Sequence, residues 1–124
     1  MEIFKNKKIL ITGHTGFKGS WLSIWLTHLG AKVVGVSNNI VGSPSNFLVS
    51  EISKVVDDYR FDIRDEGAIK SLIERVQPDF VFHLAAQALV RPSYENPLET
   101  MSINAIGSAN VLDALRGLDK KVVA

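Results

Sequence analysis

Three glycines spaced three residues apart, Gly13, Gly16 and Gly19, follow a short apolar run near the N-terminus. The run at residues 8–12 is rich in Ile and too short for a helix, which predicts a buried strand. A helical pattern opens among the glycines, so the strand should pass through a tight turn into a helix. The first N–H groups of that helix and the positive end of its dipole favour a phosphate or pyrophosphate. A plain turn with close packing and no ligand is the alternative.

The side chains between these glycines are His14, Thr15, Phe17 and Lys18. In an anion-binding turn of this kind, backbone N–H groups supply the donors. We therefore expect the backbone amides of these residues to matter more than their side chains. Lys18 has two open interpretations, a direct contact with phosphate or a solvated surface lysine.

The remaining sequence alternates between strand and helix patterns. Strands are predicted at residues 8–12, 32–37, 55–61 and 79–85, and a further apolar run begins at 121–124. Helices are predicted at residues 17–29, 65–76 and 97–116. Residues 40–53 read as a loop with one short helix around 47–52, and residues 86–96 as a loop. This order predicts an α/β fold of Rossmann type, a doubly wound parallel sheet in the order 3-2-1-4 with a truncated fifth strand. The ligand crevice should lie between strands 1 and 4.

Helical periodicity also predicts which side chains pack inside. In helix 17–29 the apolar residues Phe17, Trp21, Ile24, Trp25 and Leu29 share one face. For the two tryptophans, core packing is favoured over stacking on a base. The predicted packing positions of helix 97–116 are Met101, Ile103, Ile106, Val111, Leu112 and Leu115. Strand 79–85 is nearly continuous in apolar residues, which predicts burial on both faces.

Composition excludes several classes of protein. The 124 residues are 46% hydrophobic and carry a net charge of +1, which argues against disorder and against nucleic-acid partners. Cysteine is absent, so no disulfide or thiolate site is expected. The N-terminus lacks an apolar signal region, and no run approaches the roughly 20 residues that span a bilayer. We expect one incomplete domain over residues 1–124, located in the cytoplasm and without membrane contact.

The three histidines, His14, His28 and His83, are scattered without metal-ligand spacing. No metal site is therefore predicted. His83 lies inside the apolar strand 79–85, which favours a hydrogen-bonded core histidine over a catalytic one.

Several motifs occur together in register: TGHTGFKGSWL at residues 12–22, DIRD at 62–65, VFHLAAQ at 81–87, LVR at 89–91, SY at 93–94 and NAIG at 104–107. Together they resemble the N-terminal part of the extended short-chain dehydrogenase/reductases that act on nucleotide sugars. The sequence around the glycines is similar to that of the CDP-glucose 4,6-dehydratases in particular. The resemblance covers nearly the whole chain except residues 38–57.

The resemblance implies an NAD-binding domain, with NADP left open. The residue that usually distinguishes the two is an acid at the end of the second strand. Here that place holds Ser37, Asn38 and Asn39, with no Arg nearby for a 2′-phosphate. Ser37 or Asn38 could bond a ribose hydroxyl instead. The candidate cofactor-binding residues are Gly13, Thr15, Gly16, Phe17, Lys18, Gly19, Ser37, Asn38, Asp62, Ile63, Leu84, Ala85, Ala86 and Gln87.

The family gives roles to individual positions. The Phe17 backbone amide would contact the pyrophosphate, and the small residues ending at Ala86 would leave room for the pyrophosphate to approach. Asp62 would accept a hydrogen bond from the adenine amino group beside the Ile63 backbone; the alternative is a helix cap. Arg91 would contact the sugar or diphosphate, or be a surface arginine. Asn is a poor residue for the middle of a helix, so Asn104 should be held by a local contact.

The resemblance also implies a reaction: NAD-dependent oxidation at the sugar C4, loss of water across C5 and C6, and reduction at C6. The family needs a Tyr-x-x-x-Lys pair, but here Tyr59 precedes Ile63 and Tyr94 precedes Leu98 at that spacing. No catalytic residue is therefore assigned, and the chain alone is expected to be inactive. A nucleotide sugar is the expected partner of the longer protein, and self-association into a homo-oligomer is expected. An epimerase or a non-catalytic dinucleotide-binding or interaction module is the alternative.

Overall fold

The computed structural model describes residues 2–40 and 42–124. Met1 and Val41, the latter inside the expected loop 40–53, lie outside the described residues. The strands are β1 (Lys8–Thr12), β2 (Lys32–Ser37), β3 (Asp57–Arg60) and β4 (Phe80–His83). The α-helices are α1 (Phe17–His28), α2 (Asn46–Val49), α3 (Glu66–Val76), α4 (Val90–Glu95), α5 (Pro97–Met101) and α6 (Ser108–Arg116). Short 3₁₀ turns cover Glu2–Phe4 and Ile52–Lys54, and a π-helix covers Ser102–Gly107.

The four strands form a parallel sheet in the order β3-β2-β1-β4, which confirms the predicted Rossmann-type topology. Thr12, the last residue of β1, lies in register with Val36 of β2 and with His83 of β4. Near the C-terminus, Val123 forms a parallel bridge with Phe80, so the expected fifth strand starts beside β4. Strands β1 and β4 are neighbours, and the strand order reverses between them.

Apolar side chains cover both faces of the sheet. On one face, Leu10 and Val34 pack with α3 and α6 through Ile69, Ile73 and Val111. On the other face, Ile9, Ile11 and Val33 pack with Leu26 of α1 and with Phe47 and Ile52. Strand β4 is less buried than predicted, because only Val81 of its residues is fully buried.

The predicted packing face of α1 is wrong for its largest side chains. Phe17, Trp21 and Trp25 are 75%, 54% and 49% exposed. The helix instead buries three small residues, Gly19, Ser20 and Ser23, together with Leu26. Close approach of the helix to the glycine turn leaves no room for an indole there. The tryptophans also lie outside the cavity described below, so the structure gives them neither of the two roles considered.

The segment after β4 departs from prediction in two ways. Residues 90–95, expected to be loop, form α4, where Arg91 pairs with Glu95 one turn later at 2.9 Å. The helix expected at 97–116 is continuous, but its middle is the π-helix Ser102–Gly107. Among the predicted packing residues, Val111 is buried, whereas three are exposed: Met101, Ile106 and Leu112.

Candidate functional site

The glycine turn between β1 and α1 is fixed by close backbone contacts. Gly13 has φ +77°, and a Cβ there would lie 2.7 Å from the Ala85 nitrogen. Its own N–H donates to the Val36 carbonyl at 2.8 Å. A Cβ on Gly19 would lie 2.1 Å from the Gly13 carbonyl oxygen. Gly13 therefore permits the approach of the chain after β4, and Gly19 permits the approach of α1.

The N-terminus of α1 opens at this turn. Gly16 is its N-cap residue, and no side chain caps the first turn. The first N–H groups of an α-helix have no partner within the helix. Those of α1 thus remain available as donors, at the positive end of the helix dipole.

A cavity of about 610 Å³ lies beside this helix end, over the carboxyl ends of the strands. All of the predicted cofactor-binding residues line it except Lys18 and Gly19; Lys18 is exposed and Gly19 is buried against Gly13. Sequence reasoning missed several further lining residues: Asn39, Phe61, Ala88, Leu89 and Ile103. Phe61 and Ala88 adjoin predicted positions, whereas Ile103 comes from the π-helix, which the sequence did not reveal.

His14 is a feature that the sequence analysis missed. Its ring is fully buried, and Nε2 lies 2.9 Å from Oδ1 of Asp58 on β3. Nδ1 lies 3.2 Å from the hydroxyl of Ser37 on β2. Burial is the main influence on the ring and lowers its pKa; Asp58 acts in the opposite direction. A neutral ring with its proton on Nε2 therefore ties the turn to both strands.

Side chains of the turn also form hydrogen bonds within the protein, while the greater importance of the backbone amides for a ligand stays a prediction. Besides His14, the Thr15 hydroxyl donates to the Asn39 carbonyl at 2.7 Å. The Ser37 hydroxyl is buried within this cluster and accepts from the Thr15 N–H at 3.4 Å. Asn38, by contrast, is exposed at the cavity.

An arginine does lie near the end of β2, which corrects the expectation of none. Arg60 is in register with Ser37 on the neighbouring strand. Its guanidinium pairs with Asp58 at 2.8 Å and lies 4.9 Å from the centroid of the Phe47 ring. Arg60 is thus held by contacts within the protein.

Asp62 lines the cavity and does not cap the next helix. The N-cap of α3 is Asp65, whose side chain accepts from the Ala68 N–H. Hydrogen bonds from Arg64 lower the pKa of the Asp62 carboxyl, with a smaller contribution from Asn38. The Asp62 carboxylate is therefore a charged acceptor at neutral pH.

Residues 84–87, which follow β4, form another wall of the cavity. The carboxamide of Asn104 accepts from the Gln87 N–H at 2.8 Å and donates to the Gln87 carbonyl at 3.0 Å. Asn104 is thus held by a contact, as expected, but its partner lies 17 residues earlier in the sequence. Arg91 is exposed and pairs with Glu95.

His83 is hydrogen-bonded through both ring nitrogens, as the sequence predicts. Nδ1 lies 2.7 Å from the Thr12 hydroxyl and Nε2 lies 2.8 Å from the Ser108 hydroxyl. Burial lowers the pKa of this ring as well.

We predict that the folded chain loses stability as the pH falls below about 6.5. Burial lowers the folded-state pKa of both His14 and His83 from the ordinary value of 6.5. In acid the unfolded chain then binds more protons than the folded chain does. The contribution of the two histidines to stability is therefore complete above pH 6.5 and declines below it. The melting temperature, followed by circular dichroism between about pH 7.5 and 5, should fall.

His28→Gln, which removes an exposed histidine, is the control and should keep the same decline. The paired carboxyl groups of Asp62 and Asp79 have a lowered pKa, so their contribution is lost only below the ordinary value of 3.8. A melting temperature that stays constant over this range would contradict the prediction.

The described residues offer neither a membrane-spanning helix nor a cluster of metal ligands. Across residues 2–40 and 42–124, no helix combines the length and hydropathy that crossing a membrane requires. The same residues contain no group of three or more His, Cys, Asp or Glu side chains placed to hold a metal ion.

Comparison with known proteins gives consistent matches. A family profile described as GDP-mannose 4,6 dehydratase matches residues 10–123. The CDP-glucose 4,6-dehydratase of Salmonella typhimurium is 42% identical over 115 residues, which are 93% of this chain and 32% of that protein. The chain therefore spans about a third of the length of this relative.

Solved structures match at similar coverage. The UDP-glucose 4-epimerase of Thermotoga maritima, solved with UDP-glucose, has a TM-score of 0.77 and 34% identity, covering 86% of this chain and 33% of that one. The Thermus thermophilus UDP-glucose 4-epimerase, solved as a complex with NAD, has a TM-score of 0.77 and 33% identity, covering 88% and 33%.

Proposed function

The chain belongs to the GDP-mannose 4,6-dehydratase family, and from that premise we propose that it binds NAD in the cavity between β1 and β4. One observation carries the proposal. A cavity of about 610 Å³, inside the roughly 300–1,000 Å³ range of ligand pockets, adjoins the uncapped N-terminus of α1 where the strand order reverses. Relatives of the same fold are crystallised with NAD.

The cavity residues fit the parts of a dinucleotide. The N–H groups at Phe17 and its neighbours would hold the pyrophosphate, since they are uncapped donors. The Asp62 carboxylate would accept from the adenine amino group beside Ile63, and Asn38 would bond a ribose hydroxyl. The small side chains at residues 85–86 leave room for the nicotinamide end. Arg60 is already paired with Asp58, which favours NAD over NADP.

Ala86→Glu is expected to weaken NAD binding at least about tenfold, or about 1.4 kcal/mol. Ala86 is exposed and lines the cavity, so a carboxylate there would repel the pyrophosphate and fill part of the space. Titration calorimetry of the 124-residue chain with NAD, and separately with NADP, measures the change.

Ala109→Glu makes the same substitution at an exposed residue of α6 outside the cavity lining and is the matched control. It should bind NAD as tightly as the unmodified chain. Absence of NAD binding by the unmodified chain would refute the proposal. An equal loss of affinity in both variants would contradict the placement of NAD in this cavity.

We further propose that a longer protein containing this chain is a nucleotide-sugar 4,6-dehydratase acting on CDP-glucose. NAD, when bound there, would accept hydride from the sugar C4 and return it at C6. The 42% identity to a CDP-glucose 4,6-dehydratase supports this substrate. Without Tyr-x-x-x-Lys, the chain alone should form no 4-keto product from CDP-glucose and NAD. Detection of that product would overturn this expectation.

The second candidate is a nucleotide-sugar epimerase, favoured by the UDP-glucose 4-epimerases among the structural matches.

We also propose that copies of the chain associate. Support comes from exposed apolar side chains along α5, the π-helix and α6, namely Leu98, Met101, Ile106 and Leu112. A single monomeric species in sedimentation equilibrium would contradict association.

A further inference from the structure

A connected set of hydrogen bonds runs beneath the cavity wall formed by residues 84–87. It begins at Thr12, the last residue of β1, whose side chain is fully buried. The Thr12 oxygen accepts from the Leu84 N–H at 3.1 Å and from the Ala85 N–H at 3.2 Å. It also lies 2.7 Å from Nδ1 of His83.

These contacts fix the direction of every proton in the set. A hydroxyl has two acceptor lone pairs and one donor proton. Both lone pairs of the Thr12 hydroxyl accept from backbone N–H groups, although the Leu84 N–H is shared with the Thr12 backbone carbonyl at 3.0 Å, and the hydroxyl proton therefore goes to Nδ1 of His83. The neutral ring therefore carries its own proton on Nε2 and donates it to the Ser108 hydroxyl at 2.8 Å. Ser108 in turn donates to the backbone carbonyl of Asn104 at 2.6 Å.

Asn104, the last residue of this set, contacts the same cavity wall. The carboxamide of Asn104 bonds both backbone groups of Gln87. Asn104 lies within the π-helix, and Ser108 is the first residue of α6. The wall is thus anchored at Leu84 and Ala85 by Thr12 and at Gln87 by Asn104, and the His83 ring joins the two anchors.

We propose that His83, as a neutral ring protonated on Nε2, is a positioning residue that holds the cavity wall at residues 84–87 in place. His83 does not line the cavity, so it acts through Thr12 and Ser108. Its effect on ligand affinity rests on the proposed NAD binding, whereas its effect on the wall does not.

Acid should disturb this arrangement. A second ring proton, on Nδ1, would face the Thr12 oxygen, whose lone pairs both accept backbone N–H groups. One of those two bonds would then have to break, which frees the Ala85 N–H or leaves the Leu84 N–H bonded to the Thr12 backbone carbonyl alone. The side chains that face the ring, Thr12 from β1 and Ser108 from α6, are uncharged, and burial alone lowers its pKa. Neither side chain offers a charge that would stabilise the protonated ring.

Nuclear magnetic resonance of the histidine-labelled chain tests the proton placement directly. Long-range proton–nitrogen spectra at neutral pH should show His83 protonated on Nε2 and unprotonated on Nδ1. A proton on Nδ1 would overturn the inference. As the pH falls and the ring protonates, the backbone amide signals of Leu84 and Ala85 should move together with the ring signals; amide signals that stay fixed would also overturn it.

Ser108→Ala tests the coupling because it removes the hydrogen-bond partner of Nε2 while His83 and the residues that line the cavity stay unchanged. It should shift the Gln87 amide signal and weaken NAD binding by about fivefold, the effect of one lost hydrogen bond. Ser108→Thr keeps the hydroxyl and should restore both. Ser71→Ala, at an exposed site on α3, is the matched control and should change neither.

The outcomes separate the two proposals. If the unmodified chain binds no NAD, the proposed function fails, and the ring proton and the Gln87 signal still decide this inference. If NAD binds but Ser108→Ala leaves both the Gln87 signal and the affinity unchanged, His83 has no positioning role and the proposed function stands.

Discussion

Gly19→Ala is expected to destabilise the folded chain by about 3 kcal/mol, at the upper end of what overpacking costs. The added Cβ would lie 2.1 Å from the Gly13 carbonyl oxygen and 2.7 Å from the Cα of His14. Both atoms belong to the backbone, so no side chain can rotate away to make room. Helix α1 would have to move off the turn, and its uncapped N–H groups would move with it. Urea denaturation followed by far-ultraviolet circular dichroism measures the loss.

Gly67→Ala is the matched control because it makes the same substitution in another helix. A Cβ on Gly67 would meet its nearest atom, Oδ1 of Asp65, at 3.6 Å, an ordinary contact. Alanine restricts the unfolded chain more than glycine does, so this variant should gain about 0.5 kcal/mol. Opposite signs for the two variants are the expected result. A Gly19→Ala variant as stable as the unmodified chain would show that α1 is not held against the turn.

The sheet and its order were predictable because each depends on a local pattern. Short apolar runs alternate with helical periodicity, and the right-handed crossover rule then leaves one order for four strands. The strand bounds at residues 8–12 and 32–37 match the structure. The location of the cavity followed from the same order, since β1 and β4 meet where it reverses. The individual lining residues were instead implied by the family resemblance.

The burial of α1 was not predictable from its periodicity. The apolar stripe with Trp21 and Trp25 suggested a packing face, yet the helix lies so close to the turn that only small residues fit there. Close approach selects Gly19, Ser20 and Ser23 for size, and hydropathy patterns do not register size. A run of small residues spaced along a helix after a glycine turn was the available signal.

The π-helix and the role of His14 depend on contacts distant in sequence. Asn104 bonds to Gln87, and His14 bonds to Asp58, which follows it by 44 residues. A single sequence carries no record of such pairs. A hint did exist in β2, where Gly35 interrupts a run of valines for no reason that strand propensity explains.

Gly35 and His14 are expected to be strongly coupled. A Cβ on Gly35 would lie 2.3 Å from the His14 ring, which Asp58 and Ser37 hold on both sides. Gly35→Ala alone should therefore cost about 3 kcal/mol through overpacking. His14→Ala alone should also cost about 3 kcal/mol, because it leaves a cavity and removes the hydrogen-bond partners of two side chains.

The double variant should be less destabilised than the two single effects combined, by at least about 1 kcal/mol. Once the ring is gone, the methyl group of Ala at position 35 occupies part of the vacated space instead of colliding with it. Urea denaturation of the four proteins completes the cycle. Pairing His14→Ala with Gly67→Ala is the control, and those distant changes should be additive. Additivity at the Gly35 pair would mean that the ring does not occupy the space above β2, and the turn would then need another anchor to the sheet.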